Sequence, residues 1–408
     1  MGARFTGQVL ALAIGLSPVI LALVSWLPQG FEPENRLIRT YAVPVIAMEA
    51  VTIIVALLTG LVETIHRIRL PRPAAVAAVL LALVMLGTVP FAPKPGVAMT
   101  FTAFWGIHIF FGLSILHLTR RFLTPVDLVR AYAIGFALFC GMFVLLLAQV
   151  WDDPAFDWTL DLPAFSHVRI IGHYAAPAAA LAAGLMALSR TPWRWALAFA
   201  VAGLASALAL WTGSRGAMVG IAAALIVGLL FAPPMRRVRA WGGLVAAVAL
   251  VWLAVSSLPA PSRNMGSARI VAATVQPEKR TTGRIELWVD VAKAVAKRPV
   301  FGHGEGQMFY VAWFYDAMHP HNIVLQILLA WGVVGLACIA TLAFYFARSS
   351  IRLVGSGADE LVPPFMAMAA LAAPSLVDGS LFHVLPVSIF AACTGMIGSG
   401  MLRQPAGA

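Results

Sequence analysis

The sequence predicts an all-α protein that crosses a membrane many times. Of its 408 residues, 61% are hydrophobic and only 11% are charged, and the mean hydropathy is +0.89. Soluble domains are closer to half apolar and a quarter charged. Apolar runs that are long enough to cross about 30 Å of hydrocarbon recur along the whole chain. Because a backbone in lipid must satisfy its own hydrogen bonds, these runs are expected to be helices.

A span length of about 20 residues predicts about twelve transmembrane helices and one larger loop outside the bilayer. The predicted spans are 8–27, 41–62, 74–91, 97–117, 131–150, 174–189, 194–212, 217–233, 241–258, 322–346, 361–378 and 384–402. The longest connection can hold folded structure outside the membrane. The chain is therefore divided into N-terminal spans over 1–258, this loop over 259–321, and C-terminal spans over 322–408.

Charged residues in the connections predict the orientation of the chain. Alternate connections are short and basic, namely HRIRLPRP, TRRFLTPVDLVR, RTPWRW, MRRVRAW and ARSSIRL. By the positive-inside rule they face the cytoplasm, as do both termini, so the large loop faces outward. The chain has 28 Lys+Arg against 17 Asp+Glu. Topology and lipid headgroups explain most of this excess, so the expected partners are membrane lipids and not nucleic acid.

The large loop contains one predicted helix and one predicted turn. The segment TTGRIELWVDVAKAVAKRPVFG predicts an amphipathic helix on the membrane surface, with Gly283 as a start signal and Arg298-Pro299 as a stop signal. Its predicted apolar face comprises Ile285, Trp288, Val291 and Val295. The turn PVFGHGEGQ follows, and its glycines permit positive φ angles and close backbone approach. These glycines are Gly302, Gly304 and Gly306.

Three arginines lie on the predicted outer side. Arg169 is in SHVRIIGHYAAP, Arg215 is in WTGSRGAMVG, and Arg284 begins the loop helix. Snorkelling to the interface is the ordinary explanation of such arginines. It fits Arg215 least well, because its connection is too short to reach freely into water. A guanidinium held in so tight a turn suggests a fixed anion site, and its fork geometry suits phosphate oxygens.

The segment HPHN, which immediately precedes a long apolar run, supplies a candidate base. Pro320 predicts the start of a helix, with His321 and Asn322 in its first turn. The unpaired N–H groups and the positive dipole end of a helix disfavour an imidazolium there. A neutral imidazole is what a general base requires near neutral pH. The alternative for His321 is a helix cap or an anchor at the interface.

A family resemblance now follows from these residues. His321 and Asn322, then nine residues, Gly332, two residues and Gly335 resemble the signature H-[N/S/Q]-x9-G-x-x-G. This signature belongs to the bacterial O-antigen ligases, within the wider superfamily of O-antigen ligases and polymerases. SRGA resembles the family's outer arginine motif, and RIIGHYAAP resembles its R-x-x-G segment before a helix. The GR pair and PVFGHGEG resemble the loop that precedes the histidine.

The resemblance implies a GT-C-like glycosyltransferase of the bacterial inner membrane with a periplasmic active site. The donor would be an undecaprenyl-diphosphate-linked glycan, and the acceptor would be a sugar hydroxyl of lipid A–core. Carried over by position, His321 would remove the proton of the acceptor hydroxyl. Arg215 and Arg284, with Arg169, would hold the diphosphate. No DxD-like acidic pair occurs on the outer face, so neither a metal nor another cofactor is expected.

Four further residues are secondary candidates. His319 is the alternative base, and Asn322 accompanies His321 in the signature. His173 either faces the diphosphate or lies at the interface. Asp378 either orients His321, as carboxylates often do for functional histidines, or belongs to a plain turn in VDGS.

Three other functions stay open at this point. An O-antigen polymerase would use the same lipid-linked donor with a lipid-linked acceptor, and a protein O-oligosaccharyltransferase would use a serine or threonine. A transporter or flippase would carry out no chemistry and would place charged groups near the middle of its spans. Glu49 is the clearest mid-span charge in the sequence.

Overall fold

The computed structural model describes residues 2–26, 42–232, 234–256, 262, 265–266, 269, 283–312 and 318–403. Over these residues the chain forms helices without a strand, which confirms the predicted all-α membrane architecture. The helices are α1 (Gly2–Trp26), α2 (Val43–Leu58), α3 (Leu61–His66), α4 (Arg72–Gly87), α5 (Pro95–Arg121), α6 (Pro125–Leu147), α7 (Val168–Leu188), α8 (Pro192–Trp211), α9 (Arg215–Phe231), α10 (Pro234–Ser256), α11 (Arg284–Lys297), α12 (Met308–Val311), α13 (Ile323–Gly355), α14 (Val362–Ser375) and α15 (Val384–Met401).

Every predicted span overlaps one of these helices within the residues described. In the part of the chain that the structure describes, eight helices are long and apolar enough to cross a membrane: Phe5–Ser25, Arg72–Phe91, Pro95–Arg121, Pro125–Leu147, Val168–Leu188, Pro192–Trp211, Ile323–Gly355 and Val384–Met401. Three shorter apolar helices are Val43–Leu58, Arg215–Phe231 and Trp241–Ala254. The structure thus supports a polytopic protein, and the number of about twelve crossings stays a prediction.

Helix α7 is the centre of the bundle, because almost all of its side chains are buried. Its run of alanines and glycines lets neighbouring helices approach closely. A Cβ atom on Gly172 would lie 2.5 Å from Cβ of Ser214, and one on Gly184 would lie 2.5 Å from Cβ of Pro363. The start of α7 is therefore packed tightly against the start of α9.

Two capping side chains determine where α9 and α13 begin. The hydroxyl of Ser214 accepts a hydrogen bond from the backbone N–H of Ala217 at 3.3 Å. Asn322 accepts a comparable bond from the N–H of Leu325 at 3.0 Å and donates to the carbonyl of Leu376 at 2.9 Å. Such caps satisfy N–H groups that the first turn leaves unpaired. Asn322 also ties the start of α13 to the end of α14.

Helix α13 is broken at Gly332, where φ is 62° and ψ is −164°. The glycine-rich turn docks at this break. The N–H groups of His303 and Gly304 donate to carbonyls of α13 at 2.8 and 2.9 Å, and the N–H of Val333 donates back to Pro299 at 2.8 Å. Positive φ angles are confirmed at Gly302, Gly304 and Gly306. The break and the turn therefore satisfy each other's backbone groups.

The predicted loop helix is confirmed as α11, between Gly283 and Arg298. Ile285 is 53% exposed within the protein, so it does not belong to the side of α11 that packs against α13. The contact of the predicted apolar face with the membrane surface stays a prediction. The apolar cluster between α11 and α13 contains Leu287, Val291, Ala294, Met308, Ala312 and Leu329. The described part of the large loop thus packs on the C-terminal spans. It also contacts the connection before α5, where the N–H of Lys94 donates to Oε1 of Gln307 at 2.9 Å. The division into 1–258, 259–321 and 322–408 stays a prediction.

Candidate functional site

Asp378 lies among cationic and imidazole groups at one end of the bundle, in the turn after α14. Its Oδ1 atom is 3.1 Å from Nη2 of Arg284, 3.5 Å from Nδ1 of His321 and 3.8 Å from Nε2 of His173. The carboxylate is buried. A buried charge is costly unless it is paired, so these three neighbours offset the cost of burying the Asp378 carboxylate.

The same neighbours determine the charge of Asp378. Burial alone would raise the pKa of this carboxyl. His173, His321 and Arg284 oppose that effect and hold the pKa of Asp378 below its usual range. The group is therefore an anion at neutral pH.

The three predicted arginines come together around this anion. Arg169, at the start of α7, and Arg215, at the start of α9, both interact electrostatically with Asp378 and with Arg284. The Nε atom of Arg169 is buried without a hydrogen-bond partner. These side chains come from three different helices, so their convergence is a property of the tertiary fold. Their roles stay predictions.

A fourth arginine, Arg269, joins the cluster and was not indicated by any motif. Its Cδ atom lies 3.1 Å from the position that a Cβ on Gly213 would occupy, so it runs along the tight turn before Arg215. Burial, followed by Arg169 and Arg215, lowers the pKa of Arg269 to about 10. Among the residues that the structure describes, these four guanidinium groups and the Asp378 carboxylate carry a formal net charge of +3. Only its location in the 259–321 loop hinted at a role.

Asp378 lies against the SRGA segment at the start of α9. A Cβ on Gly216 would lie 2.6 Å from Oδ2 of Asp378, so glycine leaves room for the carboxylate. An anion beside the first turn of a helix is favoured by the unpaired N–H groups and the helix dipole. The small residues around Arg215 therefore have a structural reason in addition to their place in the motif.

His321 lies just before α13, so its predicted place in the first turn is wrong. Asn322 caps the helix, which begins at Ile323, and His321 adopts a left-handed conformation with φ of 52°. Such a conformation is uncommon for a residue with a side chain and marks a constrained site. The indole of Trp288 donates to the carbonyl of Pro320 at 2.8 Å and holds this turn.

The candidate alternative base, His319, is more enclosed than His321. Its ring centroid lies 4.4 Å from that of His321 and 4.6 Å from that of Phe382. Burial lowers the pKa of His319 well below its ordinary value. Burial likewise lowers the pKa of His383 to about 3 and that of His167 to about 4, so these three imidazoles are neutral. The side chain of His321, by contrast, is 26% exposed.

A cavity of about 630 Å³ opens beside this cluster. Its polar lining contains Ser166, His167, Arg169, His173, Glu305, His319, His321, Gln326, Asp378 and His383. His108 also lines it and pairs with Glu49, whose Oε2 is 2.9 Å from Nδ1 of the histidine. The mid-span charge of Glu49 thus belongs to a buried pair. Among the residues that the structure describes, no three His, Cys, Asp or Glu side chains are placed to hold a metal ion.

Glu305 is a second carboxyl group in this cavity that the sequence did not indicate. The side chain of Gln326 donates from Nε2 to its Oε1 at 2.7 Å. Burial raises the pKa of Glu305 to about 7, against the opposing effect of Gln326. The only available signal was an acidic residue inside the glycine-rich turn GHGEG.

Comparison with known proteins adds two findings. Residues 200–340 match the family described as O-Antigen ligase. Over 156 residues the chain is 31% identical to an O-antigen ligase of Pseudomonas aeruginosa strain PAO1, a similarity that covers 34% of this chain and 38% of that relative. The family match includes Arg215, Arg284 and His321, whereas Asp378 lies beyond it.

Proposed function

We propose that the chain, which is similar to O-antigen ligases over part of its length, transfers a glycan from undecaprenyl diphosphate to a sugar hydroxyl of lipid A–core. The reaction takes place in the bacterial inner membrane, with the site on the periplasmic side and both termini in the cytoplasm. One observation carries the proposal: His321 and Arg284 flank the same buried carboxylate, Asp378, at 3.5 and 3.1 Å.

The guanidinium cluster supplies the donor site. A diphosphate diester carries one negative charge on each phosphorus, and the described groups of the cluster carry a formal net charge of +3. Arginine forks match phosphate oxygens in geometry and stay charged. Negative charge grows on the diphosphate as its bond to the sugar breaks, so donors already aimed at those oxygens lower the barrier. Arg169, Arg215 and Arg284 have this role.

His321 is the general base. Its Nδ1 faces the anionic Asp378, which favours the tautomer with the proton on Nδ1 and leaves the lone pair on Nε2. Nε2 takes the proton of the acceptor hydroxyl while its oxygen bonds to the anomeric carbon of the donor. The bond from that carbon to the diphosphate breaks, and undecaprenyl diphosphate leaves with the electron pair. A direct displacement of this kind inverts the anomeric centre.

The same chemistry is also required by the two related functions, glycan polymerisation and glycan transfer to protein. A polymerase or a protein O-oligosaccharyltransferase needs the same base and anion site and differs in the acceptor. A transporter is less consistent with the structure, because Glu49 is paired with His108 and the cationic cluster lies at one end of the bundle. Metal independence stays part of the proposal.

The test is the lipopolysaccharide profile of a strain that lacks this chain, complemented with wild-type or His321→Ala protein. A ligase-deficient strain loses all capped lipid A–core and accumulates lipid-linked polymer, whereas a polymerase-deficient strain retains core with one repeat unit. His66→Ala is the matched control, since His66 is exposed at the other predicted side of the membrane. Full complementation by His321→Ala would overturn its assignment as the base.

A further inference from the structure

The cavity beside His321 contains two buried acceptor atoms without hydrogen-bond partners. These are Oε2 of Glu305 and Oε1 of Gln326. Their other polar atoms bond to each other at 2.7 Å, so the pair is fixed in place. Buried polar atoms are almost always paired in folded proteins. Two unpaired acceptors on the lining of one cavity therefore call for a ligand that donates hydrogen bonds.

The neighbours of Glu305 do not supply those donors. The indole of Trp105 and the backbone N–H of Gly306 lie close enough to the Glu305 carboxyl to act as donors that favour its anion. Neither makes a hydrogen bond of normal geometry with Oε2. The apolar lining nearby is rich in ring faces, from Phe101, Phe104, Trp105, Phe309 and Tyr310. A cavity of about 630 Å³ that combines aromatic walls with polar groups is typical of a site for a small organic ligand.

The chemistry of the two ends of the cavity is different. The end near Arg169 and Asp378 is cationic and suits phosphate. The end with Glu305 and Gln326 offers two oxygens without hydrogen-bond partners, which do not attract phosphate and are unfavourable next to a hydrocarbon chain. Sugar hydroxyl groups are donors, and the C–H faces of a sugar ring pack on aromatic rings. The cavity therefore matches a ligand with an anionic group at one end and a sugar at the other.

We propose that Glu305 and Gln326 form a sugar subsite, which binds hydroxyl groups of a ring whose reacting atom lies beside His321. This inference rests on the proposed glycan transfer for the identity of the sugar. The shared chemistry fits either the acceptor ring of lipid A–core or the first ring of the lipid-linked donor, and the experiment separates these two sources.

The kinetic test uses the full chain in lipid nanodiscs, with purified lipid-linked glycan and lipid A–core. Glu305→Gln keeps the shape of the side chain but exchanges an acceptor oxygen for an N–H donor, and Gln326→Leu removes both polar atoms. We expect each variant to raise the KM of one substrate about tenfold with little change in kcat. A higher acceptor KM assigns the acceptor ring, and a higher donor KM assigns the donor ring. Unchanged KM values in both variants would overturn the subsite.

A binding test separates this inference from the proposed function. The water-soluble core oligosaccharide and the glycan released from its carrier are titrated separately and followed by saturation-transfer NMR. The wild type should bind one of them about tenfold more tightly than Glu305→Gln or Gln326→Leu. Glu286→Gln, the same chemical change on the exposed side of α11, should bind like the wild type.

The outcomes of the two tests differ for the two ideas. If the wild-type protein binds a glycan through Glu305 but transfers nothing, the glycan transfer is wrong and the subsite stands. If the wild type and both variants bind equally, or the wild type binds neither glycan, the subsite is wrong whatever the transfer rate. Should Glu305→Gln unfold at a lower temperature than the wild type, Gln326→Leu provides the comparison.

Discussion

Arg284 clamps the turn that carries Asp378. Its Nη2 atom lies 3.1 Å from Oδ1 of Asp378, and its Nη1 atom donates to the carbonyl of Val377. The same Oδ1 atom faces Nδ1 of His321 at 3.5 Å, a distance longer than a normal hydrogen bond. One carboxylate therefore positions a guanidinium of the proposed donor site and orients the proposed base. A change at Asp378 should therefore disturb the orientation of His321 and make the charge around the donor site more positive.

Asp378→Asn should lower kcat about 10- to 100-fold without weakening donor binding. The amide no longer stabilises the Nδ1–H tautomer and the imidazolium of His321, and loss of such an orienting partner has an effect of about this size. Removal of the negative charge makes the cationic site more attractive to a diphosphate, so the donor KM should stay constant or fall. Steady-state transfer rates in nanodiscs, with each substrate varied in turn, measure both quantities.

The control for Asp378→Asn is Asp290→Asn, because Asp290 forms an exposed ion pair with Lys293 on α11. The control should keep wild-type kinetics. If kcat is unchanged in Asp378→Asn, Asp378 does not orient His321 and is only a residue of a plain turn. A kcat loss accompanied by an equal loss of folded protein would point to a purely structural role.

Arg269→Gln should lower kcat/KM for the donor, although no motif contains this residue. Loss of one preorganised donor to a developing anion typically costs about 10²–10³ in rate, and we expect Arg215→Ala and Arg284→Ala to reach this range. Arg269 lies behind the Gly213 turn, so a smaller loss of about tenfold is expected for it. Arg348→Gln, an exposed arginine on α13, is the control. Unaltered rates in Arg215→Ala and Arg284→Ala would favour interface anchoring.

Hydropathy and one signature account for much of the architecture and part of the site. The apolar runs identify the helices because span length and backbone hydrogen bonding restrict what can cross lipid. The arrangement H-N-x9-G-x-x-G singles out His321, and the structure explains Gly332, whose positive φ lets the glycine-rich turn dock against α13. The helices and the histidine signature could be predicted because each depends on residues that are close in sequence.

Features that depend on distant segments were not predicted in the same way. Asp378 was ambiguous between a turn and a partner of His321, since only the packing of α14 beside α13 brings them together. Arg269 and Glu305 had no motif, and their environments arise from tertiary contacts. The side of α11 that packs on α13 was not predicted, because that contact joins two segments distant in sequence. The membrane contact of Ile285 stays a prediction.

Gly332→Ala should destabilise the protein severely and lower the yield of folded material. The residue has a φ of 62°, and a Cβ there would collide with the backbone carbonyl of Val300. Because backbone atoms cannot move aside cheaply, a loss of about 3 kcal/mol or more is expected. Gly355→Ala, in the same helix, is a matched control, since a Cβ there meets no atom of a neighbouring segment within 4 Å. Thermal unfolding in detergent compares the two, and equal melting temperatures would contradict the role of Gly332.

Glu305→Gln should change how stability depends on pH. The pKa of Glu305 is raised from 4.5 to about 7 by burial, so the folded state keeps a proton that the unfolded state loses between these values. The stabilisation is complete below the unfolded pKa and disappears as pH rises through about 7. Relative to Glu305→Gln, the wild type should therefore lose more melting temperature between about pH 5 and about pH 8. If the difference in melting temperature between the wild type and Glu305→Gln is the same at both pH values, the pKa of Glu305 is not raised. Glu286→Gln controls for the loss of one surface carboxylate.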